Sequence, residues 1–297
     1  MNALPAASVI IPVLNGERTI GDLLMALKTQ AGGGPFEIIV VDNGSTDRTM
    51  EIARLHGAKV LQQPVRGPSA ARNLGVQHAQ SDIIVHTDSD TVPTRRWLVS
   101  LISELAKPGT MIVTGPVLGW KPTTAAERFC STRPAYTRSN TAEHPRYPYA
   151  VGMNLAIRKE NLLAVGGWDE AMTSGEDVDL SWRLKHKFGC KIHFCEAATL
   201  FHQHRATDEA LVRQARWHGA GQALFMRKHG ATARWTMFHS ILAHLTNGML
   251  AAAVPLIWLG KKAGWISTER AEFEFYHRLW TRNFWGGFFE EWKKGRA

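Results

Sequence analysis

Glu37-Ile-Ile-Val-Val-Asp42 runs without interruption into Asn43-Gly-Ser-Thr-Asp47. Four consecutive β-branched residues with no helical spacing predict a strand buried on both faces. The polar cluster after them reads as a turn. A carboxylate, Asp42, therefore stands at the carboxyl end of a buried strand. The same pattern recurs on either side. Ser8–Val13 is apolar and ends at Leu14-Asn-Gly16, and Ile83–Thr87 ends at Asp88-Ser-Asp90. Lys59–Gln62 is a weaker strand. Between these runs, Thr19–Thr29 places Ile20, Leu23, Leu24 and Leu27 at helical spacing, and Arg48–Leu55 and Pro68–Ala79 read as further helices. Ser45 or Thr46 is expected to cap the helix at 48–55. Alternating strands and helices predict an α/β fold with a mostly parallel central sheet and right-handed crossovers. Such sheets bind ligands beyond the carboxyl ends of their strands. Asn15, Glu17, Asp42, Asn43, Asp88 and Asp90 all gather there, and that clustering points to a nucleotide.

The second half is less regular. Met111–Val117, Val151–Ile157, Cys190–Phe194 and Ala198–His202 read as extended. Lys159–Val165, Glu176–Lys187 and Thr207–Lys228 read as helices. Lys121–Tyr149, rich in Pro, Thr, Arg and Tyr, is expected to be a long surface loop.

The chain has 297 residues, 44% apolar and 21% charged, which excludes a disordered protein. Three cysteines exclude a disulfide scaffold and fit reduced surroundings. Met1–Ala7 has no basic run leading into a long apolar core, so the catalytic part is expected to be cytoplasmic. The net charge of +9 is uneven: residues 201–297 hold 14 Lys+Arg against 7 Asp+Glu, and 7 of the 11 tryptophans. Basic residues mixed with aromatics suit nucleic acid or an anionic membrane. Because the sheet region is nearly neutral, nucleic acid is not the expected partner.

Three acidic clusters carry the chemistry. Asp88-Ser89-Asp90 offers hard oxygen ligands, which suit Mg²⁺ or Mn²⁺ on a diphosphate. A lone Asp-x-Asp is often only a solvated turn, but this one shares a sheet edge with Asp42 and Asn15. Asp42 reads either as an Asx-turn or as an acceptor for a base N–H, such as uracil N3–H. Glu176 and Asp177 open a helix, where the helix dipole favours acids. The functional alternative is a general base for a hydroxyl. Asp179 faces elsewhere and is expected to support the loop. In Phe201-His-Gln-His204, two alternate His in an extended segment point the same way, and a neutral imidazole can complete a metal shell.

Seven motifs in order, SVIIPVLNGERTI (8–20), VVDNGSTDRT (40–49), GPSAARNLGVQHA (67–79), DSD (88–90), GMNLAIRKE (152–160), GEDVDLSWRL (175–184) and FHQH (201–204), closely resemble the family 2 glycosyltransferases of GT-A fold. The resemblance runs from about Ser8 to Lys228. It implies that Pro12, Asn15, Glu17 and Asp42 line the nucleotide pocket and that Arg72 supports the donor site. Asp88, with Ser89 beside it, would contact the nucleoside, and Asp90 would hold the metal. Asp177 would be the base, with Glu176 beside it. His202, or else His204, would assist metal or diphosphate binding. Gly152, Met153 and Asn154 would line the sugar and acceptor cleft. The implied reaction is a single in-line displacement with inversion, taking sugar from a nucleotide-diphospho-sugar to a hydroxyl acceptor in cell-surface polysaccharide, lipopolysaccharide or glycolipid synthesis. One departure stands out: the family often has Asp-Asp-Gly-Ser where this chain has Asp42-Asn43-Gly44-Ser45. The QxxRW motif of processive synthases is also absent, since Gln214-Ala-Arg-Trp217 is one residue short, so one sugar per acceptor is expected.

The expected division is a catalytic domain at 1–230 and a helical, membrane-associating extension at 231–297. Ile241–Gly260 has 14 apolar residues of 20, but His244, Asn247 and Pro255 argue against a span. A buried helix pair, a re-entrant hairpin or a helix lying in the interface fits better. The aromatic–basic stretch after Ser267 suits a membrane surface at the inner face of the cell membrane, and suggests a lipid-linked or membrane-proximal acceptor. Its competing readings are a helix packed on the catalytic domain and a dimer contact. Two rival functions remain. A nucleotidyltransferase would need a Gly-rich basic loop after the first strand, which Leu14–Arg18 does not supply. An inactive binding protein of the same fold would be expected to lose Asp90 or Asp177, and both are present.

Overall fold

A computed structural model describes residues 6–133, 135–230, 255, 257 and 259–295. Nearly all of the apolar run 241–260 therefore lies outside the described residues. The chain divides into two compact units. The first takes described residues within 1–120, 134–171 and 176–203; the second takes those within 121–133, 172–175 and 204–297.

The first unit is built on a seven-stranded sheet of order β3-β2-β1-β4-β8-β6-β9. Its strands are β1 (Ala7–Val13), β2 (Phe36–Asp42), β3 (Lys59–Gln62), β4 (Ile83–His86), β6 (Ile112–Thr114), β8 (Leu155–Arg158) and β9 (Ile192–Phe194). β1 to β4 are mutually parallel, while β8 runs antiparallel to both β4 and β6. The chain crosses from β1 to β2 on one side and returns to β4 on the other. The crevice where the order reverses opens beyond Val13 and His86, where α/β sheets take their ligands.

β1 shows why the apolar runs are continuous. Val9, Ile11 and Val13 face a core with Leu23, Leu24 and Leu27 of α1 (Ile20–Lys28) and Trp97, Leu98 and Leu101 of α4 (Trp97–Leu105). Ile10 faces the opposite core, with Ala71 and Val76 of α3 (Pro68–His78), Leu180 and Leu184 of α7 (Glu176–Phe188), and Trp168. Alternate residues feed two cores, so both faces must be apolar. Met111–Val117 is split: β6 joins the large sheet, while β7 (Val117–Gly119) joins β5 (Thr91–Pro93) and β10 (Leu200–His202) in a small one.

The expected surface loop at 121–149 is not one. It contains α5 (Ala125–Thr132), opened by a capping box in which Thr124 and Glu127 bond reciprocally, and a 3₁₀ turn at Arg138–Asn140. Ala126 and Phe129 are buried.

The second unit packs α5, α8 (Asp208–Lys228) and α9 (Thr268–Lys294) together. Phe273, Tyr276, Leu279 and Trp280 surround Phe129 and Leu211, and Trp285, Phe289 and Trp292 surround Phe288, Ala223 and Met226. Most of the aromatics after Ser267 thus pack, partly buried, against α5 and α8. α8 and α9 approach through glycine: a Cβ on Gly219 would lie 1.9 Å from the Phe284 carbonyl, and one on Gly287 2.0 Å from the Arg216 carbonyl. Among the described residues, no helix is long and apolar enough to cross a membrane.

Gly287→Ala should therefore lower stability by about 1–3 kcal/mol, because the clash is with backbone. Gly286→Ala meets only the end of the Arg216 side chain and should melt at or above the wild type. Thermal denaturation followed by circular dichroism checks both.

Candidate active site

The loops after β1 and β2 are tied to each other. Asn15, in the left-handed region at φ 52°, donates its N–H to Ser45 Oγ at 2.8 Å and accepts the Thr46 N–H at 2.9 Å. Glu17 accepts the Arg48 N–H at 3.0 Å and donates its own N–H to Asp47 at 3.1 Å. Both side chains expected in the nucleotide pocket are thus staples between its two loops. Ser45 and Thr46 do not cap the following helix, which is α2 (Thr49–Leu55) and begins later. Asp47 instead accepts the Thr49 N–H at 3.1 Å.

Asp42 is 1% exposed and accepts backbone N–H groups from Ser45 and Gly44. The Asx-turn reading therefore describes its geometry. Asn43 explains the departure from Asp-Asp-Gly-Ser. Its Nδ2 donates to the carbonyls of Gln63 and Val65, and its Oδ1 accepts the Gly67 N–H. A carboxylate has no proton to give those carbonyls. Pro12 lies in β1 opposite Val41, half-buried.

The Asp88–Asp90 turn begins one residue past β4. The Thr91 hydroxyl donates to the Asp88 carbonyl at 2.8 Å and holds the turn. Ser89 abuts the first loop: a Cβ on Gly16 would sit 3.3 Å from its Oγ. β5 then pairs Thr91 with His202 of β10, and this register sets His202 Nε2 3.3 Å from Asp90 Oδ1. Both side chains are largely buried. β10 ends at His202, so the alternation expected to aim His204 alongside it stops one step short.

Arg72, on α3, joins the acidic clusters. Its Nη2 lies 2.9 Å from Asp88 Oδ1 and its Nη1 2.7 Å from Glu176 Oε1. It is 3% exposed, so these ion pairs act with little screening from water. Asp177 follows Glu176 at the start of α7. Asp177 Oδ2 accepts the Gly152 N–H at 3.0 Å, and its Oδ1 the Val178 N–H at 2.8 Å. Gly152 lies against both side chains: a Cβ there would stand in van der Waals contact with Asp177 at 3.4 Å and Arg72 Nη2 at 3.6 Å. Burial, and next the negative charge of Glu176, push the Asp177 carboxyl up to about 6, against the opposing pull of its two N–H donors and Arg72.

Two residues need correction. Asn154 was expected in the sugar cleft, but it is fully buried and its amide is committed to the core. It accepts from Trp97 Nε1 and donates to the carbonyls of Pro116 and Ala198, so it ties three segments together. Met153 packs against the core under α1 and α4. Asp179 does support a loop: it binds Arg183 at 2.8 Å, and Arg183 Nη1 donates to the carbonyls of Val165 and Gly167. That turn presents Trp168, which the sequence reading passed over; Gly166-Gly167-Trp168 was the available signal.

The arrangement thus has a carboxylate–imidazole pair at the sheet edge and a buried arginine linking that edge to a second carboxylate pair. Comparisons with known proteins agree on its kind. The family model for glycosyl transferase family 2 matches residues 8–166, more than half the chain. The chain belongs to glycosyl transferase family 2. This family 2 chain is 31% identical over 76% of its length to the pre-mycofactocin glycosyltransferase of Mycobacterium tuberculosis, and covers 49% of that protein. It is 30% identical over 80% of its length to glycosyltransferase AglE of Haloferax volcanii, covering 81% of it. The chain thus spans about half the length of the first relative and about four fifths of the second. Its GT-A fold is shared with the mannosyltransferase PcManGT of Pyrobaculum calidifontis, solved with GDP-Man and Mn²⁺: TM-score 0.66, 20% identity, covering 96% of this chain and 88% of that one.

A divalent metal fits the donor set at Asp90 and His202. One carboxylate oxygen and one imidazole nitrogen suit Mn²⁺, and diphosphate oxygens and water can fill the remaining positions. Among the described residues, no group of three or more His, Cys, Asp or Glu could hold a metal by protein ligands alone.

The raised Asp177 carboxyl has a consequence for stability. Its folded value, about 6, lies above the ordinary 3.8, so ionising it opposes folding as pH rises through that window. Asp177→Asn removes the charge. The variant should melt above the wild type at pH 7.5, with the gap closing as pH falls through about 6 towards 4. A variant that melts lower at neutral pH would mean that the ionised carboxylate is a net stabiliser.

Proposed function

We propose that the protein transfers one sugar, with inversion, from a nucleotide-diphospho-sugar to a hydroxyl acceptor in the synthesis of a cell-surface glycan or glycolipid. The observation that carries this is the Arg72 bridge, whose buried guanidinium ties the Asp88–Asp90 turn to the Glu176–Asp177 pair. The loops stapled by Asn15 and Glu17, with Asp42 at their base, form the nucleotide end. Asp90 and His202 would hold Mg²⁺ or Mn²⁺. That ion would neutralise charge on the diphosphate as it leaves.

Asp177 is the base. A carboxylate that titrates near 6 is ionised at neutral pH, yet basic enough to share the acceptor proton as the new bond forms. The Gly152 and Val178 N–H groups fix its orientation. Glu176 neutralises Arg72 and raises the basicity of its neighbour. The acceptor oxygen bonds to the anomeric carbon from the face opposite the departing diphosphate. The bond from that carbon to the diphosphate oxygen breaks, and the acceptor proton passes to Asp177.

A membrane contact is better assigned to the helix end and turn at 259–265, before α9, than to the aromatic face of α9. Trp265 is 86% exposed and Leu259 62%, with Lys261 and Lys262 between them. An apolar pair with adjacent cations suits an anionic interface.

Three outcomes test the reading. A screen of nucleotide-sugars with Mn²⁺ should find one that raises the melting temperature, and NMR of the product should show the opposite anomeric configuration. Asp177→Asn should keep nucleotide binding while transfer falls by at least about 10³-fold, whereas parallel loss of both would assign Asp177 to the scaffold. Asp90→Asn and His202→Ala should each weaken Mn²⁺ binding in the presence of the nucleoside diphosphate, read by Mn²⁺ paramagnetic resonance. For the membrane contact, Trp265→Ser should reduce co-sedimentation with anionic phospholipid vesicles, and unchanged sedimentation would remove this turn from the interface.

A further inference from the structure

Arg72 is held by more than its two carboxylates. Its guanidinium lies 4.7 Å from the centre of the Trp168 ring. A cation over an indole face is attracted by the ring quadrupole, most strongly where water is excluded. Trp168 is 1% exposed, so this contact is dry.

The ring is itself fixed from three directions. Trp168 Nε1 donates to His86 Nε2 at 3.2 Å, and the two rings meet edge to face. That bond makes His86 a neutral imidazole with its proton on Nδ1. Burial, and then the Arg72 charge, drive the His86 value well below the ordinary range, so it stays neutral and does not compete with Arg72 for the carboxylates. The Trp168 backbone is clamped by Asn73, one residue after Arg72. Asn73 Oδ1 accepts the Trp168 N–H, and its Nδ2 donates to the Trp168 carbonyl, both at 2.9 Å. From α7, Arg183 holds the preceding turn. The helices that carry Arg72 and Asp177 therefore both grip the segment that presents Trp168.

Without the ring, Arg72 would have only its two ion pairs to fix it. Its Nε is buried and has no partner among the described residues. The side chain could then swing towards Asp88, the more exposed of the two carboxylates, and abandon Glu176.

We propose that Trp168, backed by His86, is a positioning residue for transfer: it holds the Arg72 guanidinium between Asp88 and Glu176 and so sets the charge felt by the Asp177 carboxylate. This rests on the reading of Asp177 as the base. The charged groups facing Asp177 are Glu176 beside it on α7 and Arg72 from α3. Beyond Arg72 lie Asp88, which shares its charge, and the neutral His86. A displaced Arg72 leaves Glu176 less compensated and withdraws the positive charge that lowers the Asp177 value. Both changes raise it.

The test is the pH profile of kcat/KM, which reports ionisations of the free enzyme. Trp168→Leu removes the ring and should move the acid limb upward by about half a pH unit or more. It should lower kcat more than it raises the donor KM. Trp168→Phe keeps a ring face under Arg72 and should hold the acid limb at the wild-type position, a rescue that a mere volume effect would not give. Circular dichroism and melting curves confirm that each variant is folded. Should Trp168→Leu prove unfolded, His86→Phe, which withdraws the acceptor from Trp168 Nε1, gives the same measurement and should move the limb the same way. A folded Trp168→Leu or His86→Phe enzyme with an unmoved acid limb overturns the proposal. If Asp177→Asn retains transfer, the base assignment fails instead, and the two failures are distinguishable.

Discussion

One guanidinium shared by two carboxylates organises the catalytic unit. Arg72 is buried, and burying a charge without partners is prohibitive. Asp88 and Glu176 therefore have to come to it, from a turn at the sheet edge and from the first residue of α7. Those elements lie 88 residues apart in sequence. The ion pairs draw together the end that would hold the diphosphate and the end that would accept a proton. Their geometry leaves Asp177 beside Glu176, with two backbone N–H groups and a shared arginine among the described residues to offset its charge. Its raised value follows from this placement.

The sheet supplies what the ion pairs cannot. Because β1, β2 and β4 are parallel, their following loops all emerge at one edge. Because β5 pairs with β10, His202 arrives beside Asp90 from 112 residues further on. Backbone hydrogen bonds thus position Asp90 and His202, the proposed metal donors, while buried charge surrounds Asp177, the proposed base. The second unit is organised differently. Its helices meet where glycine permits backbone to approach backbone, with aromatic rings filling the space around those contacts.

The strands from Ser8 to Thr87 were legible because residues feeding two cores leave a continuous apolar run. Asp42, Asp88, Asp90, Arg72, Asp177 and His202 were legible as motifs, but their contacts were not. Spacing does not show that Asn15 and Glu17 spend their side chains stapling loops, or that Asn154 is consumed by three backbone and side-chain partners in the core. α5 was missed although Thr124-Ala-Ala-Glu127 is a capping-box signature, because Pro, Thr and Arg nearby read as loop. The packing of the tail aromatics on α5 and α8 is not legible, because composition alone does not tell an interface helix from one whose rings lie against a neighbour. Trp168 was passed over because an isolated tryptophan after two glycines gives no sign of the cation it will cover.

The most direct test is a ¹³C NMR titration of the Asp177 carboxyl in the donor-free protein, beside the same titration in Arg72→Met. The network described here predicts a midpoint near 6 in the wild type and a higher one in the variant. A midpoint in the ordinary range near 4, unmoved by loss of Arg72, would contradict it.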